Sequence, residues 1–245
     1  MSLVGKDISK RFGGLQALRD VCFEIDKDEI VGLIGPNGAG KSTLFNVITG
    51  FMKPEKGRIY YEGKDITALP SHKICRLGIA RTFQIPRPFN SLNVFENVLV
   101  GASYAAKKYS AKRIEQILEI LRLSDIADRH PMMLNPVERK KLVLARALAG
   151  DPQILLVDEI AAGLNMSEIK EVENVLLKLH SEHGMAIFLV EHLIRFVVNI
   201  SDKIIVLDHG EKLMEGKPSE VVSDERVIHA YLGLEEVRGE SNVKS

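Results

Sequence analysis

The residues GPNGAGKST, Gly35 to Thr43, fit the spacing G-x-x-x-x-G-K-[ST] and lie between an apolar run, IVGLIG, and a helix-like stretch, KSTLFNVITG. That pattern suits the holding of a polyphosphate. Gly35, Gly38 and Gly40 permit backbone conformations closed to residues with a Cβ, so N–H groups of the loop that also holds Pro36, Asn37 and Ala39 can turn inward around a β-phosphate. Lys41 offers a point charge to the β- and γ-phosphates, the helix N-terminus adds its partial positive charge, and Ser42, next to Thr43, carries a hydroxyl able to ligate Mg²⁺. A fortuitous glycine turn is the alternative, and the strand–loop–helix setting argues against it.

A second stretch, ILLVDE, Ile154 to Glu159, is an apolar strand closed by two acids. In a parallel sheet such an end is expected beside the phosphate loop. The two carboxylates then have different tasks: Asp158 holds the Mg²⁺ shell, and Glu159 polarises an attacking water as general base. A solvated acidic pair is the alternative, and four preceding apolar residues speak against it.

These residues need elements to position them. The opening reads as short strands at about Leu3 to Ile8 and Val21 to Ile25, then IVGLIG as a buried parallel strand, with turns at 54–57 and 62–64 around the strand RIYY. From about Val94 to Ala149 the pattern is helical, as in AKRIEQILEILRL and ERKKLVLARALAG. Strands return at QILLVD, MAIFLV and KIIVLD, alternating with SEIKEVENVLLKLH and HLIRFVVNI. The prediction is an α/β fold, a mixed or parallel sheet flanked by helices. One domain is expected over 1–245, with a core of 1–90 and 150–235, a helical subdomain at about 91–149, short helices near the end and a polar tail at 236–245.

Composition narrows the class. Thirty-three basic residues balance thirty-three acidic ones, so the chain offers no electrostatic footprint for nucleic acid. Cys22 and Cys75 are the two cysteines, which fits a reducing compartment and argues against a disulfide framework; Cys22 reads as a small buried apolar residue. No apolar run is long enough to cross a bilayer, and the N-terminus does not read as an export signal. His180 and His183 are spaced like metal ligands but read as solvated, because no acidic or cysteine cluster joins them.

With both phosphate motifs in place, the chain resembles the ATP-binding subunits of ABC transporters over nearly its full length. The resemblance implies an ABC ATPase fold with an N-terminal antiparallel β subdomain and an inserted helical subdomain, with ATP and Mg²⁺ as cofactors. It places Phe12, in KRFGG, where the family stacks an aromatic ring on adenine; a core aromatic is the alternative. Gln84, in RTFQIPRPF, takes the position of the glutamine that reaches the metal and the attacking water. His192 takes that of the switch histidine, which contacts the γ-phosphate and helps hold Glu159. IARTFQ, DEIAAGLN and RVIHAYLG look like the subgroup that powers branched-chain amino acid uptake, with Asn165 where most of the superfamily has Asp. Relatives serving urea, amides or lipopolysaccharide export look similar at these positions. The implied partners are membrane-spanning permease subunits, a second ATP-binding subunit and, indirectly, a solute-binding protein, with the chain at the cytoplasmic face of the membrane.

Two departures stand out. Where the family carries LSGGQ, or LS-x-GQ in this subgroup, the chain has Leu134, Asn135, Pro136, Val137 and Glu138. In the family this signature reaches across a dimer to the γ-phosphate on the other subunit. Val137 adds a branched side chain, Pro136 removes a donor, and Glu138 places a negative charge near a phosphate, while Asn135 remains able to cap the following helix. The second departure is Ile160, after Glu159, where the family has proline. An asymmetric heterodimer is therefore expected, with hydrolysis at this chain's own phosphate loop completed by a partner's intact signature. The alternatives are a homodimer in which LNPVE still works, a nucleotide-gated regulatory module with little hydrolysis, and a P-loop kinase, for which no lid segment is evident.

Overall fold

The computed structural model describes residues 2–84, 87–105 and 110–231. The expected tail at 236–245 lies outside these, as do Ile85 and Pro86 in the segment after Gln84. Two compact units are present, one built from residues 1–68 and 189–245 and the other from residues 69–188.

The first unit opens with β1 (Ser2–Phe12) and β2 (Leu15–Asp26), an antiparallel hairpin turning at Gly13 and Gly14. Both strands run longer than the short ones expected. The register shifts around Ile8 and Lys10, and Asp7 and Asp20 take left-handed φ of 52° and 46°. Such bulges break the alternation of side chains without ending the pairing, so periodicity alone reads the hairpin as fragments. Ser9 Oγ accepts from Asp20 N–H at 2.9 Å and donates to Asp20 Oδ1 at 2.8 Å. Cys22 belongs to the same bulge. It is half-buried, with Asp7 N–H donating to its Sγ at 3.2 Å, and not the buried apolar residue expected.

Next come β3 (Ile30–Ile34), α1 (Lys41–Ile48), β4 (Lys56–Tyr61) and β5 (Lys64–Asp65). The first antiparallel sheet has the order β2-β1-β4-β5. All five residues of β3 are buried, which accounts for its unbroken apolar sequence.

The second unit contains α2 (Ser71–Arg76), β6 (Ile79–Arg81), α3 (Val94–Ala105), α4 (Ala111–Ile120), α5 (Pro136–Leu148), β7 (Ile154–Asp158) and α6 (Met166–His183). Strands β6 and β7 pair in parallel, with Ile79, Ala80 and Arg81 opposite Ile154, Leu155 and Leu156. Asn165 caps α6, its Oδ1 accepting from Ser167 and Glu168 N–H while Glu168 Oε2 accepts from Asn165 N–H. At the other end of that helix His180 is half-buried and its Nδ1 lies 3.1 Å from Met185 O. His180 therefore does not stand in solvent as expected, because the αL turn at Gly184 brings the carbonyl back to it; His183 is exposed.

The chain passes back to the first unit within β8 (Ala186–Val190) and continues as α7 (Ile194–Ile200), β9 (Lys203–Asp208), β10 (Glu211–Gly216) and α8 (Pro218–Ser223), with residues 225–231 also helical. Strand β9 pairs in parallel with β3 and antiparallel with β10, a mixed sheet as expected.

Candidate active site

The expected site residues divide between the two units. In the first, the phosphate loop runs from the end of β3 into α1. Gly38 and Gly40 hold φ of 83° and 103°, which L side chains rarely adopt. A Cβ on Gly40 would lie 2.5 Å from Ala17 O, whereas one on Gly38 would meet nothing within 4 Å. Gly40 is therefore pressed against β2, and Gly38 faces the open side of the loop. Helix α1 has no side-chain cap and no acid in its first turn, so its leading N–H groups and dipole are left for an anion. Lys41 is buried, its Nζ donating to Gly35 O at 2.6 Å and to Pro36 O at 2.9 Å, which folds the lysine across the loop it belongs to. Asn37 and Ser42 are exposed, Ala39 is buried and Thr43 half-buried.

Two further residues sit in this unit. Phe12 ends β1 with its ring 44% exposed, which excludes the core-aromatic alternative, and Lys10 Nζ lies 5.7 Å from the ring centroid. His192 is exposed in the link between β8 and α7, and does not open the helix as expected.

In the second unit, Asp158 and Glu159 are 5% and 8% exposed, which rules out a solvated carboxylate pair. Gln84 Nε2 donates to Glu159 Oε2, so the glutamine and the expected base are brought together. Glu159 has φ of 47°, an uncommon conformation for a non-glycine residue and one found at functional sites. Ile160 and Ala161 behind it are buried, so packing fixes this turn where a proline ring would otherwise do so. Asp158 N–H donates to Thr82 Oγ1 at 3.1 Å.

The LNPVE stretch forms the first turn of α5. Asn135 Oδ1 accepts from Glu138 N–H at 2.9 Å, and Glu138 Oε2 accepts from Asn135 N–H at 2.8 Å. This is a complete capping box, with Pro136 at the first helical position. The helix forms, as expected, and the Asn135 and Glu138 side chains between them occupy two N–H groups at its start, the Glu138 carboxylate taking that of Asn135 and the Asn135 amide oxygen that of Glu138. Val137 is buried.

Several residues of this neighbourhood have no role assigned from the sequence. Arg81 Nη2 lies 2.7 Å from Asp158 Oδ2, both side chains under one tenth exposed. Asn97, fully buried on α3, accepts from Phe89 N–H at 2.8 Å and donates to the carbonyls of Phe89, Leu92 and Asn93. Arg146, near the end of α5, donates to Arg87 O at 2.8 Å and lies 4.8 Å from the Phe89 ring centroid, and burial lowers its pKa. In the first unit, Tyr231 sits beside the Gly35 backbone, and burial pushes its phenol up to about 12.

Comparison with known proteins decides the family. The ABC transporter family model matches residues 18–162, more than half of the chain. The chain belongs to that family. A second model, of the branched-chain amino acid ATP-binding cassette transporter, matches residues 211–237 of this cassette. The cassette is 36% identical over 247 residues to the high-affinity branched-chain amino acid transport ATP-binding protein BraF of Pseudomonas aeruginosa, covering 92% of this chain and 95% of BraF. It is 38% identical over 240 residues to LivG of Escherichia coli K12, covering 91% and 94%. Among solved structures, the ADP conformation of the ABC cassette MJ1267 superposes with a TM-score of 0.87 at 34% identity, covering 95% and 99% of the two chains. The dimeric cassette MJ0796 does so with 0.80 at 27% identity, covering 88% and 98%. The ABC ATPase fold expected from the sequence is borne out, and the cassette is an ATP-binding, ATP-hydrolysing subunit of its family. No helix among the described residues is long and apolar enough to cross a membrane.

Proposed function

We propose that this cassette energises uptake of branched-chain amino acids or a closely related small solute, and that it works beside a different ATP-binding subunit bearing an intact signature. The substrate class rests on the match at residues 211–237 and on the names of relatives similar over nearly the whole chain. Membership of the ABC transporter family supports docking on membrane-spanning permease subunits at the cytoplasmic face, with Gln84 and the stretch from Arg87 to Phe89 near the contact.

Each site residue then has a task. The loop from Gly35 to Thr43 cradles the phosphates of ATP, Lys41 leaving its own carbonyls for the β- and γ-oxygens, and Phe12 stacks on the base. Glu159 accepts a proton from the attacking water, Gln84 holds that carboxylate in place through the bond already formed, and His192 faces the γ-phosphate. Oxygen donors suited to Mg²⁺ are supplied by Ser42, Asp158 and Gln84, and the Oδ1 of Asp158 has no hydrogen bond among the described residues. The ion supplies charge neutralisation at the β- and γ-phosphates when bound.

The heterodimer rests on one observation: the first turn of α5 caps itself through Glu138. To meet a partner's γ-phosphate, this helix would have to give up its capping box and bring a carboxylate against the anion. Asymmetry follows, with hydrolysis at this chain's own phosphate loop. The test is ATP turnover by the purified chain across a wide range of protein concentration, with nucleotide binding checked in the same samples. Binding with negligible turnover throughout is expected. Turnover per chain that climbs with concentration means a competent homodimer and refutes the asymmetry.

A further inference from the structure

The buried pair between Arg81 and Asp158 has no part in the roles given above. Arg81 ends β6, and its register on β7 sets it opposite Leu156, two residues before the carboxylate it engages. The side chains are 7% and 6% exposed, and the contact at 2.7 Å uses Oδ2 alone. Thr82, the next residue, accepts from the Asp158 N–H, so two neighbours on one strand end grip the backbone and the side chain of the same aspartate. The negative charge at this point is crowded. Glu159 follows directly and is also buried. A carboxylate removed from water requires a counter-charge, and among the described residues Arg81 supplies one in contact with Asp158.

We propose that Arg81 is a positioning residue that shares Asp158 with the magnesium ion: it is the resident counter-cation before the ion arrives and it weakens the hold on the ion afterwards. This inference rests on the assignment of Asp158 to the metal. Anchoring Oδ2 points the second oxygen away from the guanidinium, toward whatever completes the shell. The fixed positive charge, however, repels a divalent cation held by the same carboxylate, and at this range in a buried setting that repulsion outweighs a loss of orientation. The consequence is a cassette whose magnesium–ADP leaves more readily than it would from an aspartate unpaired with arginine.

The test uses the full chain as wild type, Arg81→Gln, Arg81→Lys and Asp158→Asn, with ADP binding measured over a series of Mg²⁺ concentrations and in EDTA, and thermal unfolding followed on the same samples. For Arg81→Gln the half-saturating Mg²⁺ concentration is expected to fall about tenfold, by removal of one charge near a divalent ion. ADP affinity in EDTA is expected to stay as in wild type. Tm without nucleotide is expected to drop by roughly 5–15 °C, because a buried carboxylate loses its partner. A merely structural arginine would instead lower stability and magnesium affinity together. Arg81→Lys keeps a cation with a less complementary grip, so it shifts the Mg²⁺ requirement in the same direction by a smaller factor, and it serves if the glutamine variant does not fold. An unchanged or higher Mg²⁺ requirement in the folded variants overturns the proposal. If Asp158→Asn alters the Mg²⁺ response and the Arg81 variants do not, the arginine reading alone fails; if Asp158→Asn leaves that response as in wild type, the metal assignment of Asp158 fails and takes this proposal with it.

Discussion

Replacing Gly38 and Gly40 by alanine, one at a time, separates the two tasks of the phosphate loop. Both glycines have positive φ, 83° and 103°, so either alanine is strained, and a left-handed backbone costs an L residue about 1–2 kcal/mol. At Gly38 the new methyl meets nothing within 4 Å, so strain is the whole cost. At Gly40 it lies 2.5 Å from Ala17 O and 2.8 Å from Leu18 Cδ2, and backbone cannot step aside as a flexible side chain can. Overpacking adds about 1–3 kcal/mol, giving roughly 2–5 kcal/mol for Gly40→Ala. For a chain of this size each kcal/mol moves Tm by about 2–4 °C, so Gly40→Ala should melt roughly 10 °C below wild type and Gly38→Ala only a few degrees below. ADP affinity distinguishes them further. The Gly38 methyl projects to the open side where the phosphates are expected, so binding should weaken about tenfold or more in a variant that is otherwise well folded. Scanning calorimetry and ADP titration on both proteins give the answer. If Gly40→Ala melts within 2 °C of Gly38→Ala, the loop is not closed against β2 and the steric reasoning fails.

Glu159→Gln, assembled with the partner subunit that completes the site, should keep nucleotide binding and abolish turnover; hydrolysis at the wild-type rate in a single-turnover assay of that assembly removes Glu159 from the role of base. Glu138→Gln keeps a capping side chain while removing the charge, so it should cost at most about 1 kcal/mol of stability and raise turnover of the chain alone; no rise at any concentration means that this carboxylate is not what silences the signature. Tyr231 titrates near 10 in the unfolded chain and is held up to about 12 in the fold, so the folded state keeps its proton more tightly. Its contribution is fully present below pH 10 and is lost as pH rises through 10 to 12, a total of about 2–3 kcal/mol. The difference between wild type and Tyr231→Phe in urea unfolding at pH 9 and pH 11.5 isolates it; parallel curves refute it. Asn97→Ala leaves the N–H and carbonyl groups of Phe89 without their buried partner and should cost about 2–4 kcal/mol, with hydrogen exchange at Phe89 quickening; protection unchanged at Phe89 would mean that Asn97 does not anchor this segment.

The sequence carries the phosphate loop and the acidic strand end because those tasks demand residue types at fixed spacing along a continuous stretch. Gly40 has to be glycine for a reason visible beside β2, and Asp158 has to follow a buried strand. Residues that act across the chain are silent in it. Arg81 meets Asp158 only once β6 and β7 lie in register, and Asn97 meets Phe89 only once α3 begins to turn back on the preceding segment. Arg81 stands in the stretch IARTFQ, which gives no sign of its partner, and Asn97 looks like an ordinary polar residue of a helix. The hairpin of β1 and β2 was half legible, because bulges at Asp7 and Asp20 conceal a long pairing behind a broken alternation. His180 is silent for a similar reason: its partner is a carbonyl, and backbone groups leave no trace in a pattern of side chains.

The altered signature makes more sense beside the rest of α5 than beside the family pattern. That helix begins at the Asn135–Glu138 box, sends Lys140 Nζ to Glu159 O at 3.4 Å and Lys141 Nζ to Glu171 Oε1 at 2.5 Å, and ends with Arg146 on Arg87 O. Thirteen helical residues make a rod about 20 Å long. One rigid element therefore touches the expected base, the neighbouring helix and the segment assigned to permease contact. A signature could lose its phosphate chemistry in two ways, by letting the first turn unravel or by satisfying that turn internally. The first would cost the helix its leading turn, and with it the turn that precedes Lys140 and Lys141. The second keeps the rod intact while withdrawing its N-terminal donors from an anion, and the reciprocal bonds of Asn135 and Glu138 are of that kind. A chain built this way can still be moved by a partner's nucleotide cycle and can still hold ATP on its own loop.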